Sequence, residues 1–495
     1  MRCSGVLMHI TSLPGPYGVG TMGKHAYEFV DFLQEAGQSC WQILPLNPTG
    51  YGDSPYQSCS TFAGNHYLID LQTLIDQSLL EKEEVESVVW CRKDTKVDFG
   101  LLYENRLKLL RKAFHRHGET ADFTAFRESN EDWLPEFAAY MILKDRYEGK
   151  PWYQWPEQLR SRSCDVIAAA KEWGGQEEFD FYCFVQYLFF TQWEKLRAYA
   201  RDKGIRIIGD VPIYVPYDSV EVWKDPRLFQ LDKNLTPKVV AGCPPDGFTE
   251  DGQLWGNPIY NWKIMKQEGF AWWIRRLEAA GKLYDMVRID HFRGLEAYWS
   301  VPYGHKTARY GKWVKGPGKA FVKAIRQALP ELDMIAEDLG YLTEEVLQLR
   351  DYSGYPGMKV LEFAFDSKEP SDYLPHSYTR NTVVYTGTHD NLTMRQWFDT
   401  AEAEAVRYAA EYMNLSEEEG YVWGVIRTAM ACVSDMCVIP MQDLLDLGGE
   451  ARMNFPGTLS DSNWTWRMKD DIMYTALAKK FRALTKLYGR ENGLY

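Results

Sequence analysis

The stretch Met286-Val-Arg-Ile-Asp290-His-Phe-Arg-Gly294 is a short apolar run that ends in a carboxylate. Two other stretches repeat the arrangement: Asp333-Met-Ile-Ala-Glu337-Asp338-Leu-Gly340 and Thr382-Val-Val-Tyr-Thr-Gly-Thr-His389-Asp390-Asn391. Each places its acidic residue at or just past the end of the run. A buried strand has little structural reason to end in a charge, whereas parallel barrels carry their catalytic groups at the C-terminal ends of the strands. Three such ends point to one catalytic centre.

Working outward, apolar runs between turn signals predict strands over 5–9, 40–44, 205–211, 285–290, 333–337, 358–363, 382–386 and 437–441. Most are near-continuously hydrophobic, as parallel strands covered on both faces must be. Helical spacing falls between them, with Ala26, Phe29, Val30, Leu33 and Ala36 after the first run, and further helices expected over 270–280, 319–328, 343–350, 394–413 and 470–488. Alternation of this kind predicts an α/β fold, a (β/α)8 TIM barrel, as a single catalytic unit over 1–495.

Two connections are too long for simple barrel loops. Residues 75–200, between the second and third strands, read as a mostly helical insertion, with helices over 101–115 and 137–147. Residues 212–269, between the third and fourth strands, are rich in Pro, Gly and Asp and read as an irregular insertion with an active-site loop. Both follow strand C-termini, so both are expected over the catalytic face.

Composition narrows the function. A net charge of −13 with no Lys/Arg run excludes the electrostatic footprint that nucleic acid requires. The nine cysteines form no CxxC pair and read as reduced thiols. No stretch resembles a signal peptide or reaches 18 uninterrupted apolar residues, so no membrane association and a cytoplasmic location are expected. The 18 Trp and 31 Tyr suit both core packing and stacking under sugar faces.

The chemistry of paired carboxylates is glycosidic cleavage with retention, one attacking the anomeric carbon and one, protonated, serving the leaving oxygen. Asp290 is the candidate nucleophile. Arg288, two residues earlier on the same side of a strand, is expected to lower its pKa. Glu337, desolvated by Met334-Ile-Ala and near a negative Asp290, is the candidate acid/base, while Asp338 points the other way into structural hydrogen bonds. Asp390 is the third carboxylate, able to accept sugar hydroxyls as the transition state forms. His389 and His291 are candidate sugar contacts.

Gly18-Val-Gly20-Thr-Met-Gly23 matches a dinucleotide-binding pattern. Pro14 and Pro16 spoil the tight turn it needs, and no acidic residue ends the next strand, Trp41-Gln-Ile-Leu-Pro-Leu. HExxH, CxxC, EF-hand, P-loop and Gly-x-Ser-x-Gly patterns do not occur, so neither a metal nor a cofactor is expected.

Longer motifs run almost end to end: Trp41-Gln-Ile-Leu-Pro-Leu-Asn-Pro-Thr49, Asp53-Ser-Pro-Tyr56, Ile208-Gly-Asp210-Val-Pro-Ile-Tyr214, Gly242-Cys-Pro-Pro-Asp246-Gly-Phe, Gly252-Gln-Leu-Trp255-Gly-Asn-Pro258 and Arg452-Met-Asn454-Phe-Pro-Gly457. With the three carboxylate motifs they make the chain resemble the 4-α-glucanotransferases, the amylomaltases or disproportionating enzymes of glycoside hydrolase family 77 in the α-amylase superfamily. The resemblance implies transfer of α-1,4-glucan segments between maltooligosaccharides, amylose or similar glucans by double displacement through a covalent intermediate on Asp290. Glu337 is then the acid/base and Asp390 the transition-state stabiliser. It further implies that Tyr56, Ser58, Asp210, Trp255, Arg288, His291, His389, Asn391 and Asn454 line sugar subsites, and that the loop at Asp246 overhangs the cleft. An α-glucan hydrolase using the same carboxylates is the alternative. Cys243 and His66 depart from the family pattern.

Overall fold

Twelve strands form two sheets in the computed structural model, which describes residues 2–50, 52–245, 250–340, 342–365, 371–470 and 474–491. In chain order they are β1 (Cys3–Leu7), β2 (Cys40–Gln42), β3 (Arg206–Val211), β4 (Val239–Cys243), β5 (Gln253–Pro258), β6 (Met286–Ile289), β7 (Ala297–Pro302), β8 (Lys312–Lys315), β9 (Asp333–Ala336), β10 (Gly357–Val360), β11 (Thr382–Tyr385) and β12 (Met436–Pro440). Eight close a parallel barrel in the order β1-β12-β11-β10-β9-β6-β3-β2, with β1 pairing β2 to complete the ring. Each expected strand is one of these eight, shifted or shortened by a residue or more. The (β/α)8 barrel is therefore the fold.

Helices cover the barrel at Lys24–Glu35, Ala271–Leu283, Gly318–Ala328, Glu344–Ser353, Tyr421–Ala431 and Tyr474–Leu487. The expected helix over 394–413 is two, Met394–Thr400 and Ala403–Met413. The insertion over 75–200 is mostly helical. Three of its helices start at side-chain caps, Asp98 accepting from Leu101 N–H, Thr120 from Phe123 N–H and Asp165 from Ile167 and Ala168 N–H. The segment Val166–Asp202 is bent at Gly175, whose φ of 78° breaks the helical path.

The segment 212–269 departs from its irregular reading. It holds β4 and β5, which join β7 and β8 in an antiparallel sheet of order β5-β4-β7-β8. The sequence hid this sheet for a physical reason. Gly242 lies in β4, Gly256 with a φ of 79° and Pro258 lie in β5, and the register shifts between Val240 and Gly242. Such residues read as turns, yet a bulged strand tolerates them. The sheet reaches the end of β6, where Trp255 meets His291 edge-on at 4.8 Å.

Candidate active site

Asp210 in β3 and Arg288 in β6 are direct partners in the strand register, so their side chains share one face. Arg288 Nη1 donates to Asp210 Oδ2 at 2.6 Å and to Asp290 Oδ1 at 3.1 Å. Tyr56 Oη donates to the same Asp210 oxygen at 2.7 Å, and its ring stacks on His389 with centroids 5.1 Å apart. Arg288 and Asp210 are buried, whereas 29% of the Asp290 side chain remains exposed, enough for a reacting atom to reach it.

Glu337 is fixed beside Asp290 by backbone. Glu337 N–H donates to Ile289 C=O at 3.0 Å and Phe292 N–H donates to Glu337 C=O at 2.9 Å, which continues the β6–β9 ladder past both strand ends. His291 takes a left-handed φ of 52°. Its N–H donates to Glu337 Oε2 at 2.6 Å, and Leu339 N–H donates to Oε1 at 2.7 Å. Asp338 faces away, accepting from Met358 N–H at 2.7 Å and Arg350 at 2.8 Å.

Asp390 sits on the turn after β11. Asn454 Nδ2 donates to its Oδ1 at 2.7 Å, Arg452 Nη2 donates to its backbone carbonyl at 3.0 Å, and His389 Nε2 lies 3.5 Å from Oδ2. Its side chain is 45% exposed, more than that of Asp290. Asp390 is thus the carboxylate best placed to meet a soluble ligand.

The electrostatics correct one expectation. Asp290 is pushed well above the usual carboxylate range, with burial the largest cause; Arg288 opposes it, and Asp210, Glu337 and Asp390 add to it. Arg288 does not outweigh that burial, and it also bonds Asp210, at the shorter distance. Burial also raises Glu337, outweighing Arg288 and the two backbone N–H groups. Burial lowers His291 to about 3, with Arg293 adding to the effect, and it lowers His389 as well. Both rings are therefore neutral near pH 7. Asp210 and Asp290 share the single Arg288 guanidinium.

Other expected subsite residues also make bonds within the chain. Ser58 Oγ donates to Ser60 C=O at 2.8 Å and accepts from Ser60 N–H at 3.2 Å, so its hydroxyl closes its own turn. Asn391 Oδ1 accepts from Thr388 N–H at 2.9 Å and Thr388 Oγ1 at 2.8 Å, which shapes the Asp390 turn. Asp210 is 1% exposed and serves Arg288 and Tyr56. Trp255 is half-buried, its indole N–H donating to Gln253 at 3.2 Å. Asp246 lies outside the described residues.

Sequence reading missed three groups here. Trp464 packs on both Tyr56 and His389 at 5.8 and 5.9 Å, and nothing distinguished it among the other tryptophans. Arg452 lay in a quoted motif without a role. Glu362 follows the apolar start of the sixth strand run just as Glu337 follows its own, so the signal was present. Among the described residues no group of His, Cys, Asp and Glu is arranged to hold a metal ion, and no helix is long and apolar enough to cross a membrane.

Comparison with known proteins places these features in context. Residues 8–473 match the family described as 4-alpha-glucanotransferase. The 4-alpha-glucanotransferase of Clostridium butyricum is 48% identical over 487 residues, covering 98% of this chain and all of that protein. The Thermus thermophilus 4-alpha-glucanotransferase is 47% identical over 498 residues, covering 98% of each. Among solved structures, amylomaltase from Streptococcus agalactiae in complex with acarbose superposes with a TM-score of 0.96 at 42% identity, covering 99% of this chain and 100% of that one.

Proposed function

The chain belongs to the 4-alpha-glucanotransferase family and is a transferase of hexosyl groups, and on that premise we propose that Asp290, Glu337 and Asp390 carry out the transfer. The observation that supports this most strongly is the tie between strand ends: Arg288 bonds Asp290, while the N–H of His291, the residue after Asp290, bonds the Glu337 carboxyl and the Glu337 backbone bonds Ile289 and Phe292 on either side. The Arg288 guanidinium bonded to Asp290 opposes the burial that raises it and so supports the anion the nucleophile needs, while burial raises Glu337 toward the protonated form an acid needs.

Asp290 attacks the anomeric carbon of the donor glucan as Glu337 protonates the departing 4-oxygen, leaving a glycosyl ester on Asp290. Glu337, now ionised, takes the proton from the 4-hydroxyl of an acceptor chain, which displaces Asp290 and restores the α linkage. Asp390, steadied by Asn454, accepts sugar hydroxyls whose hydrogen bonds strengthen as the oxocarbenium-like transition state forms. Tyr56 and Trp255 offer ring faces to sugars, and neutral His389 and His291 offer N–H donors. The acarbose bound by the S. agalactiae relative supports reading this cleft as the site for maltooligosaccharides and longer α-1,4-glucans. Cysteines that form no disulfide fit the proposed cytoplasmic location.

Incubation with maltotriose alone tests the reading. Glucose and maltopentaose should appear while total reducing ends stay constant. Rising reducing ends without longer products would replace transfer by hydrolysis.

A further inference from the structure

The turn that carries Asp390 lies against a fourth carboxyl group that the mechanism above does not use. Glu362 follows β10, the neighbour of β11 in the barrel, in a short helical turn over Leu361–Phe363. Its own N–H donates to Thr386 C=O at 3.1 Å, and its Oε1 accepts from Leu392 N–H at 3.4 Å. One residue thus grips both the start of the Asp390 turn and the stretch just beyond Asp390. The Asn391 amide lies beside the carboxyl. Gly387 packs here as well: a Cβ there would stand 3.3 Å from Asn391 Cβ and in ordinary contact, at 3.5 Å, with Glu362 Oε2. Oε2 is itself buried and meets no hydrogen-bond partner.

We propose that Glu362 is a positioning residue for transfer: from the end of the neighbouring strand it fixes the 386–392 turn and so sets where Asp390 meets the sugar. This rests on the role given to Asp390 above. The geometry calls for a neutral acid. The charged groups facing Glu362 are Asp443, from the helix after β12, and Arg452, from the segment that also holds Asp390. Burial is the main cause that pushes Glu362 up to about 8, Asp443 adding to it and Arg452 opposing. Ionised, Glu362 would compete with the Asp390 carbonyl for the Arg452 guanidinium and loosen the turn.

The test compares Glu362→Gln with Glu362→Ala in maltotriose disproportionation, taking kcat, KM and the pH profile, with Asp390→Asn as reference. Gln, a neutral isostere, should keep kcat near pH 7 and retain more activity than the parent above pH 8. Ala should lower kcat by about 100-fold, as a misplaced catalytic group does, with KM changed little. Should Ala fail to fold, the Gln profile still decides. Unchanged kcat in folded Ala, a Gln variant as impaired as Ala, or a Gln pH profile superimposed on the parent would each overturn the proposal. An active Asp390→Asn variant would instead overturn the Asp390 role, so the two failures are distinguishable.

Discussion

Asp290 and Asp390 are carboxylates of one centre held in opposite ways. Asp290 is held from inside the barrel, by a buried guanidinium and by ladders between β6 and β9 that run on past the strand ends. Asp390 is held from outside, on a turn, by the Asn454 amide, the Arg452 guanidinium and the packing against Glu362. The first arrangement holds the proposed nucleophile rigidly on the barrel near the proposed acid, as covalent chemistry needs. The second leaves a carboxylate more open, as suits a group that tightens on a sugar during the reaction. Strand-borne and turn-borne carboxylates should therefore fail differently when their supports are removed.

The sharpest contrast comes from Asp290→Asn, which should lower transfer by roughly 10⁴-fold or more, as loss of a covalent nucleophile does, with the far-UV spectrum unchanged. Retained turnover in the pure variant would remove Asp290 from its role. Next, Arg288→Met leaves Asp210 and Asp290 without their counter-ion. Denaturant unfolding should show a loss of about 3–5 kcal/mol along with inactivity, because breaking a buried ion pair leaves uncompensated charge. On the turn side, Asn454→Ala should lower kcat by about 10- to 100-fold, the worth of one hydrogen bond to a charged group, while the unfolding midpoint barely moves. Equal stability losses in the Arg288 and Asn454 variants would erase the comparison.

The pH dependence of stability sharpens it further. Burial raises Asp443 to about 6 and Glu362 to about 8, both above their unfolded values. The folded state therefore binds more protons than the unfolded chain from about pH 4 upward, and stability falls as pH rises until each group has ionised. Denaturation midpoints should decline between pH 5 and 9, and Glu362→Gln should flatten the upper part of that decline. The smallest effect belongs to Ser58→Ala. If its hydroxyl only closes a turn, the cost is about 1 kcal/mol of stability with kcat/KM for maltotriose unchanged; a lower kcat/KM at unchanged stability would return Ser58 to the cleft.

The same contrast explains what the sequence made legible. Barrel strands are buried on both faces, so their apolar runs stand out, and a carboxylate ending such a run is conspicuous. Asp290 and Glu337 were readable for that reason, and Asp390 because it follows the run by a short turn. Glu362 meets the same criterion but lies inside the apolar run 358–363, where it reads as part of the strand. The β4-β5-β7-β8 sheet was illegible because Gly242, Gly256 and Pro258 mimic turn chemistry within bulged or edge strands. Internal use of Ser58 and Asn391 could not be foreseen either, since a hydroxyl or amide in a loop serves its own backbone as readily as a ligand. The raised pKa of Asp290 comes first from burial in the folded barrel, to which Asp210, some 80 residues earlier in sequence, adds, and neither is visible in the strand itself.

The central claim is that a glucan is carried on Asp290 between donor and acceptor. In Glu337→Gln, an α-maltotriosyl fluoride donor needs no acid to lose fluoride, but release of the ester lacks its base, so the intermediate should accumulate. Digestion and peptide mapping by mass spectrometry should find the maltotriosyl adduct on the peptide containing Asp290. An adduct on the Asp210 or Asp390 peptide, or none while fluoride is released, would contradict the account.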